Sequence, residues 1–86
     1  MIKRKITLHN ASGLHIRPAG LLCKEAVQYK CSITFRMENI TANAKSVLSV
    51  LGACVQCGDE VEFIFDGEDE QAAMEGIVRV IDGGLD

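Results

Sequence analysis

Apolar and polar residues alternate along four stretches of the chain, and this pattern predicts four β-strands. The alternation covers residues 2–8, 31–38, 40–44 and 60–65. In the first stretch one face carries Ile2, Arg4, Ile6 and Leu8, and the other carries Lys3, Lys5 and Thr7. Successive side chains of a strand point to opposite faces, so each strand is expected to cover an apolar core with one side.

Apolar residues recur at helical spacing in a stretch that follows the first strand. The helix is expected to begin near Pro18 and to run to about Tyr29. Its apolar face consists of Ala19, Leu22, Cys23 and Ala26. Positions three and four apart lie on one side of a helix, so this face is expected to pack on the sheet.

Two further helices are predicted in the second half of the chain. One is short, from Val47 to about Cys54, with Ser46 as its N-cap residue. The other follows a turn, with Glu68 or Asp69 as the capping residue. Its apolar face consists of Ala73, Ile77, Val80 and Ile81.

The elements follow the order βαββαβα, and this order predicts an α+β fold. Antiparallel strands whose helices have an apolar inner face form a two-layer sandwich, with the other face of the sheet in solvent. A chain of 86 residues is long enough for one modest core, so residues 1–86 are interpreted as a single domain. No apolar run is long enough to span a membrane, and no signal peptide is evident, which predicts a cytoplasmic protein without membrane insertion.

The charges are distributed unevenly along the chain. Residues 1–45 contain eight of the nine basic residues and two acids, whereas residues 46–86 contain ten acids and one arginine. A basic surface formed by the first half would attract acidic protein partners. Nucleic acid is a poor candidate partner, because the net charge is −3 and only 5% of the residues are aromatic.

The stretch from Ser12 to Ala19 has the features of a helix start that holds an anion. Pro18 lacks an N–H group and has a fixed φ, so it fits the first turn of a helix. His15 then falls at or just before the N-cap, where free backbone N–H groups and the positive end of the helix dipole meet. This environment favours the neutral, nucleophilic imidazole, and Arg17 adds a cation for a bound phosphoryl group. The pattern favours reversible phosphoryl transfer; the alternative is a histidine that only ends a surface loop.

Three segments resemble the signatures of HPr, the histidine-containing phosphocarrier family of the bacterial sugar phosphotransferase system. The active-site signature resembles residues 13–19, Gly-Leu-His-Ile-Arg-Pro-Ala. The signature around the family's regulatory serine resembles residues 43–48, and the turn into its last helix resembles residues 67–72. The segments stand at the family's spacing, and the resemblance covers essentially the whole chain. It implies an HPr-like open-faced sandwich, in which three helices cover one face of a four-stranded antiparallel sheet.

The resemblance implies a carrier rather than an enzyme. It implies that His15 accepts the phosphoryl group on Nδ1 from phosphorylated enzyme I, with Arg17 stabilising the phosphate. His15 would then donate the group to sugar-specific enzyme II A-domains. The large catalytic groups and the metal lie on those partners, so no cofactor and no metal site are expected in this chain, and a monomer is expected.

Ser46 has two compatible roles in this interpretation. As an N-cap it is expected to stabilise the short helix by about 1 kcal/mol. As the match to the family's regulatory serine, it is a candidate substrate of an HPr kinase/phosphorylase. The phosphorylated form would then dock on a catabolite-control transcription factor. A regulatory binding module of this kind is the alternative to the carrier function.

Partner proteins are expected to dock around the first two signatures. The expected docking residues are Leu14, Ile16, Pro18, Gly20, Lys24, Lys45, Val47, Leu48 and Leu51. For the two lysines the alternative is an ordinary solvated position, and for the last three apolar residues it is packing against the sheet. Gly20 stands where the family commonly has a larger residue; close packing is the favoured explanation, and close approach of a partner is the alternative.

Four cysteines need a separate explanation. Cys54 and Cys57 form a C-x-x-C motif, which occurs in redox sites and in zinc sites. The chain has no second motif of this kind and no thioredoxin-type βαβ unit around it. Cys23 and Cys31 fall on inner faces, where cysteine behaves as a small apolar residue. Reduced thiols are therefore the default expectation, and a redox or metal-binding protein is a third hypothesis.

Overall fold

Seven elements make up the chain, and their order is the predicted βαββαβα. The computed structural model describes residues 1–11 and 13–85; Ser12, the first residue of the expected anion-holding stretch, lies outside them. The strands are β1 (Ile2–Thr7), β2 (Ser32–Met37), β3 (Ile40–Asn43) and β4 (Glu60–Asp66). The helices are α1 (Ile16–Ala26), α2 (Val47–Gly52) and α3 (Glu70–Asp82).

The four strands form one antiparallel sheet in the order β1-β4-β2-β3. β4 is a central strand, and its Phe63 lies opposite Arg4 of β1 and opposite Phe35 of β2. The ring centroids of Phe35 and Phe63 are 5.2 Å apart, and both rings are fully buried. Aromatic pairs of this kind hold neighbouring strands together on the covered face of a sheet.

The core lies between one face of the sheet and the three helices. The predicted apolar face of α1 is correct, since all four of its residues are buried. On α3, Ala73, Ile77 and Ile81 are buried, and Val80 packs against the core with part of its surface exposed. On the other face of the sheet, Lys3 and Lys5 are exposed. These observations confirm the open-faced α+β sandwich.

Two helices end earlier than the apolar pattern predicts. α1 ends at Ala26, and the N–H groups of Gln28 and Tyr29 donate to carbonyls only three residues back, at 3.2 Å in both cases. This tightening is common in the last turn of a helix. α2 ends at Gly52, because Cys54 has a φ of 55°, which no α-helical residue adopts.

The start of α3 is held by contacts that the sequence does not reveal. Asp69 occupies the N-cap position, but its side chain makes no capping hydrogen bond. Its carboxylate instead accepts hydrogen bonds from the N–H groups of Lys30 at 2.8 Å and Cys31 at 2.9 Å, which hold its pKa below the usual value. Glu70 accepts from the Gly67 N–H at 3.1 Å and pairs with the N-terminal ammonium at 2.9 Å. The expectation of a side-chain cap from Asp69 is therefore wrong, because two donors outside the helix bind that carboxylate.

Candidate functional site

The loop between β1 and α1 is fixed against the segment that precedes β4. The Leu14 N–H donates to the Val55 carbonyl oxygen at 2.9 Å, and Leu8 exchanges backbone hydrogen bonds with residues 58 and 59 at 2.7 and 2.9 Å. The Asn10 side chain donates to the Gly13 carbonyl oxygen. Because residues 8, 10, 13 and 14 are all held by hydrogen bonds, the loop delivers residue 15 to one defined place.

Gly13 is the residue that allows this close approach. Its φ is +63°, a left-handed conformation that glycine adopts without a steric penalty. A Cβ atom at this position would lie 2.5 Å from the Val55 carbonyl oxygen. Both the backbone conformation and the space therefore require glycine here.

His15 is the N-cap residue of α1, as the sequence predicts. Its backbone is extended, with φ −76° and ψ −173°, and its carbonyl oxygen accepts the first helical hydrogen bond from the Ala19 N–H at 2.8 Å. The imidazole is exposed and forms no capping hydrogen bond. The side chain is therefore available to react while the backbone of the same residue starts the helix.

The first turn of α1 leaves donors for an anion beside this imidazole. The N–H groups of Ile16 and Arg17 precede the first helical hydrogen bond, so no carbonyl of the helix accepts from them. Pro18 takes the next position, where its missing N–H costs nothing. The Arg17 side chain is exposed. Among the described residues the salt bridge found joins the N-terminus to Glu70, so the Arg17 guanidinium forms no salt bridge there. The arrangement can hold a phosphoryl group through two amides and one cation.

An open depression of about 590 Å³ lies beside His15. It is lined by Ala11, Leu14, His15, Leu51, Cys54, Val55, Gln56 and Cys57. None of these described lining residues is acidic, so an anionic group meets no like charge at the wall. Cys54, Gln56 and Cys57 are wall residues that sequence reasoning did not connect with His15. They lie about forty positions away along the chain, and the two segments meet through backbone hydrogen bonds such as that from the Leu14 N–H to the Val55 carbonyl oxygen, which the sequence does not reveal.

The structure divides the expected docking residues into three groups. Ile16 and Leu48 are strongly exposed, at 70% and 83%, and Lys24 is also exposed. Gly20, Val47 and Leu51 are half-buried, the last two packing partly against the core. The third group consists of Leu14, Pro18 and Lys45. Sequence reasoning also missed Leu21 and Val27, which expose 41% and 59% of their surface although they are apolar.

Two of the docking residues are corrected by their burial, and Lys45 is held by a backbone contact. Leu14 is only 3% exposed and Pro18 is buried, so both support the loop from beneath and present no docking surface. The Lys45 ammonium donates to the Tyr29 carbonyl oxygen at 2.6 Å, which ties it to the end of α1. The packing explanation for Gly20 is also wrong, because no atom lies within 4 Å of where its Cβ would stand.

Ser46 has the capping role that the sequence predicts. Its Oγ accepts a hydrogen bond from the Ser49 N–H at 3.2 Å, at the N-cap of α2. The Ser49 hydroxyl in turn accepts from the Asn43 N–H at 2.8 Å. The two serines therefore join the end of β3 to the start of α2.

The described residues offer no metal site and no membrane span. Among residues 1–11 and 13–85, no group of three or more His, Cys, Asp or Glu side chains is placed to hold a metal ion. Within the same ranges, no helix has the length and apolar character needed to cross a membrane.

All four cysteines are free thiols. Burial raises the pKa of the Cys23 and Cys31 thiols, which makes them less reactive.

Comparisons with known proteins agree with this arrangement. The family model described as "PTS HPr component phosphorylation site" matches residues 2–82. The phosphocarrier protein HPr of Treponema pallidum is 34% identical over 80 residues, which cover 93% of this chain and 91% of that protein.

Solved structures give the same result. HPr-C-His from Thermoanaerobacter tengcongensis superposes with a TM-score of 0.93 at 31% identity, over 96% of this chain and 93% of the other. A structure of Crh, a catabolite-repression protein of Bacillus subtilis described as a domain-swapped, intertwined dimer, gives a TM-score of 0.78 at 31% identity. That match covers 98% of this chain and 97% of the other.

Proposed function

The chain belongs to the HPr family of phosphotransferase-system phosphocarriers, and from this premise we propose that it accepts a phosphoryl group on His15 from phosphorylated enzyme I and donates it to sugar-specific enzyme II A-domains. A member of this family is a carrier and not an enzyme. Its own residues must hold the group between two partners, and the partners supply the remaining catalysis.

The position of His15 is the observation that supports this proposal most directly. The unprotonated ring nitrogen of the exposed imidazole attacks the phosphorus held by enzyme I, and the bond between phosphorus and enzyme I breaks. The ring proton is lost to solvent or to the partner, so that the phosphorylated ring stays neutral and the phosphoryl oxygens carry the charge. The amides of the first turn and Arg17 then face this charge, which stabilises the loaded form without enclosing it. An open site of this kind allows a second partner to take the group away.

The proposal predicts that His15, and not the second histidine His9, becomes a phosphohistidine. Incubation with enzyme I, phosphoenolpyruvate and magnesium is expected to give an adduct that is labile in acid and stable in base. The adduct should be absent from a His15→Ala variant, because the only proposed acceptor is removed. Mass spectrometry of the intact chain and of its peptides measures both outcomes.

His9→Ala is the matched control for this experiment. His9 is also exposed, but it lies in the loop after β1 and does not line the depression. This variant should be phosphorylated at the wild-type rate. Phosphorylation of the His15→Ala variant with the same acid lability would contradict the proposal.

A regulatory binding module remains the second candidate, and the similarity to Crh supports it. In this function the Ser46 hydroxyl accepts phosphate from an HPr kinase/phosphorylase, and the product docks on a catabolite-control transcription factor. We expect a Ser46→Asp variant to retain a set of cellular proteins that differs from the wild-type set in a pull-down experiment. Identical sets would remove this candidate and leave the carrier function.

We further propose that the relay acts in the cytoplasm as a single-domain monomer spanning residues 1–86. Four free thiols, two of them exposed, are typical of a reducing compartment and support this location. The partners proposed are proteins and not nucleic acid, in keeping with the net charge of −3. Light scattering distinguishes the monomer from a dimer like the one described for Crh.

A further inference from the structure

Two exposed thiols share the depression with the proposed phosphoryl acceptor. Cys54 and Cys57 are both exposed, and both line the open space next to His15. Val55, which stands between them, is buried and accepts the hydrogen bond from the Leu14 N–H. The loop that carries the thiols is therefore fixed to the loop that carries the imidazole.

Packing does not explain why cysteine occupies these two positions. Cys23 and Cys31 are almost fully buried and fill the core as small apolar residues. Cys54 and Cys57 are exposed and do not belong to that core. Cys54 also has a φ of 55° just after the end of α2, where glycine is the residue that best fits the backbone.

The surroundings of the pair favour thiol chemistry over metal binding. The Cys57 Sγ donates to the His9 carbonyl oxygen at 3.6 Å, and Cys57 is exposed and lines the depression. No metal-binding group of three side chains occurs among the residues that the structure describes. The described lining residues include no acidic side chain, so the wall itself carries no charge that repels an anionic thiol reagent.

We propose that Cys54 and Cys57 form a modification site for low-molecular-weight disulfides of the glutathione type, and that the modification blocks phosphoryl acceptance by His15. A cysteine thiolate attacks one sulfur of the small disulfide, and the S–S bond of that disulfide breaks. A mixed disulfide forms on the protein, and the released thiolate takes up the proton that the cysteine has lost. An excess of free thiol reverses the exchange.

Steric exclusion is the reason for the block. The depression, at about 590 Å³, is in the size range of clefts that hold small organic ligands. A tripeptide attached at its wall occupies the space through which a partner brings the phosphoryl group to the imidazole. A partner that is kept even about 1 Å too far from His15 transfers its phosphoryl group much more slowly. We therefore expect the rate of phosphoryl acceptance by His15 to fall at least about tenfold.

The test treats the reduced, folded protein with glutathione disulfide and then maps the modified cysteines by peptide mass spectrometry. Modification is expected at Cys54 or Cys57 and not at the buried pair, Cys23 and Cys31, which serve as internal controls. Phosphoryl acceptance from enzyme I should fall in the modified protein and recover with dithiothreitol. In a Cys54→Ser/Cys57→Ser double variant, the rates with and without glutathione disulfide should be equal.

A second measurement separates this proposal from the carrier function on which it rests. Carbethoxylation of His15 by diethylpyrocarbonate reports access to the ring without any partner, and the exposed His9 serves as the reference. We expect the modified protein to react more slowly at His15 alone. Failure of the reduced protein to accept phosphate would refute the carrier function only. Unchanged access to His15 after modification of Cys54 or Cys57, or no modification of either, would refute the thiol site.

Discussion

Gly13 and Gly20 lie on either side of the proposed acceptor His15 in the sequence, but their surroundings are opposite. Gly13 has a left-handed backbone and lies against the Val55 carbonyl oxygen, whereas Gly20 is a helical residue with open space where a Cβ would be. The same substitution is therefore expected to have opposite effects at the two positions.

We predict that Gly13→Ala destabilises the fold and that Gly20→Ala stabilises it. The left-handed conformation alone costs a non-glycine residue about 1–3 kcal/mol, and the contact with Val55 adds to this cost. At a helical position with room for a Cβ, such as Gly20, alanine is favoured over glycine by about 0.5–1 kcal/mol. Urea denaturation of the two variants measures both changes in the free energy of unfolding. A Gly13→Ala variant as stable as the wild type would show that the loop between β1 and α1 does not need its observed backbone conformation.

At the scale of elements, α3 is joined to the connection between α1 and β2 by one carboxylate. Asp69 accepts two backbone hydrogen bonds from Lys30 and Cys31, and these bonds lower its pKa. A carboxyl group whose pKa is lowered by folding stabilises the folded state at pH values above its unfolded pKa. That contribution is lost as the pH falls through the lower pKa of the folded state, because the protonated carboxyl is a poorer acceptor.

We predict that Asp69→Asn lowers the urea midpoint at neutral pH and that its difference from wild type shrinks below about pH 4. Wild-type stability should decline with acid over that range, and the decline should be smaller in the variant. Glu68→Gln makes the same change of a carboxylate to an amide one residue earlier, at an exposed position. Its stability should follow the wild-type pH profile. A constant difference between Asp69→Asn and wild type at every pH would contradict the role assigned to the charge.

For the molecule as a whole, the features that depend on local pattern were predictable. The order of elements, the buried face of α1 and the N-cap position of His15 follow from spacing and from the fixed φ of Pro18. Contacts between distant segments were not predictable from one sequence. The burial of Leu14 depends on a loop forty residues later, and the Asp69 carboxylate binds donors nearly forty residues earlier. The position of Cys54 and Cys57 beside His15 could not be predicted for the same reason, because no local sequence pattern indicates which loops contact each other.

The strand order has a consequence for how this chain acquires its shape during synthesis. In the described sheet β1 pairs with β4 alone, so β1 has no partner strand until residues 60–66 have been synthesised. The loop between β1 and α1 is in the same situation, because its anchor at Val55 is also synthesised late. Contacts across such distances make folding slow to begin, since a long loop must close before any of them forms. A nascent chain halted before residue 55 would already contain His15, the proposed acceptor, yet lack the strand and the anchor that fix its position.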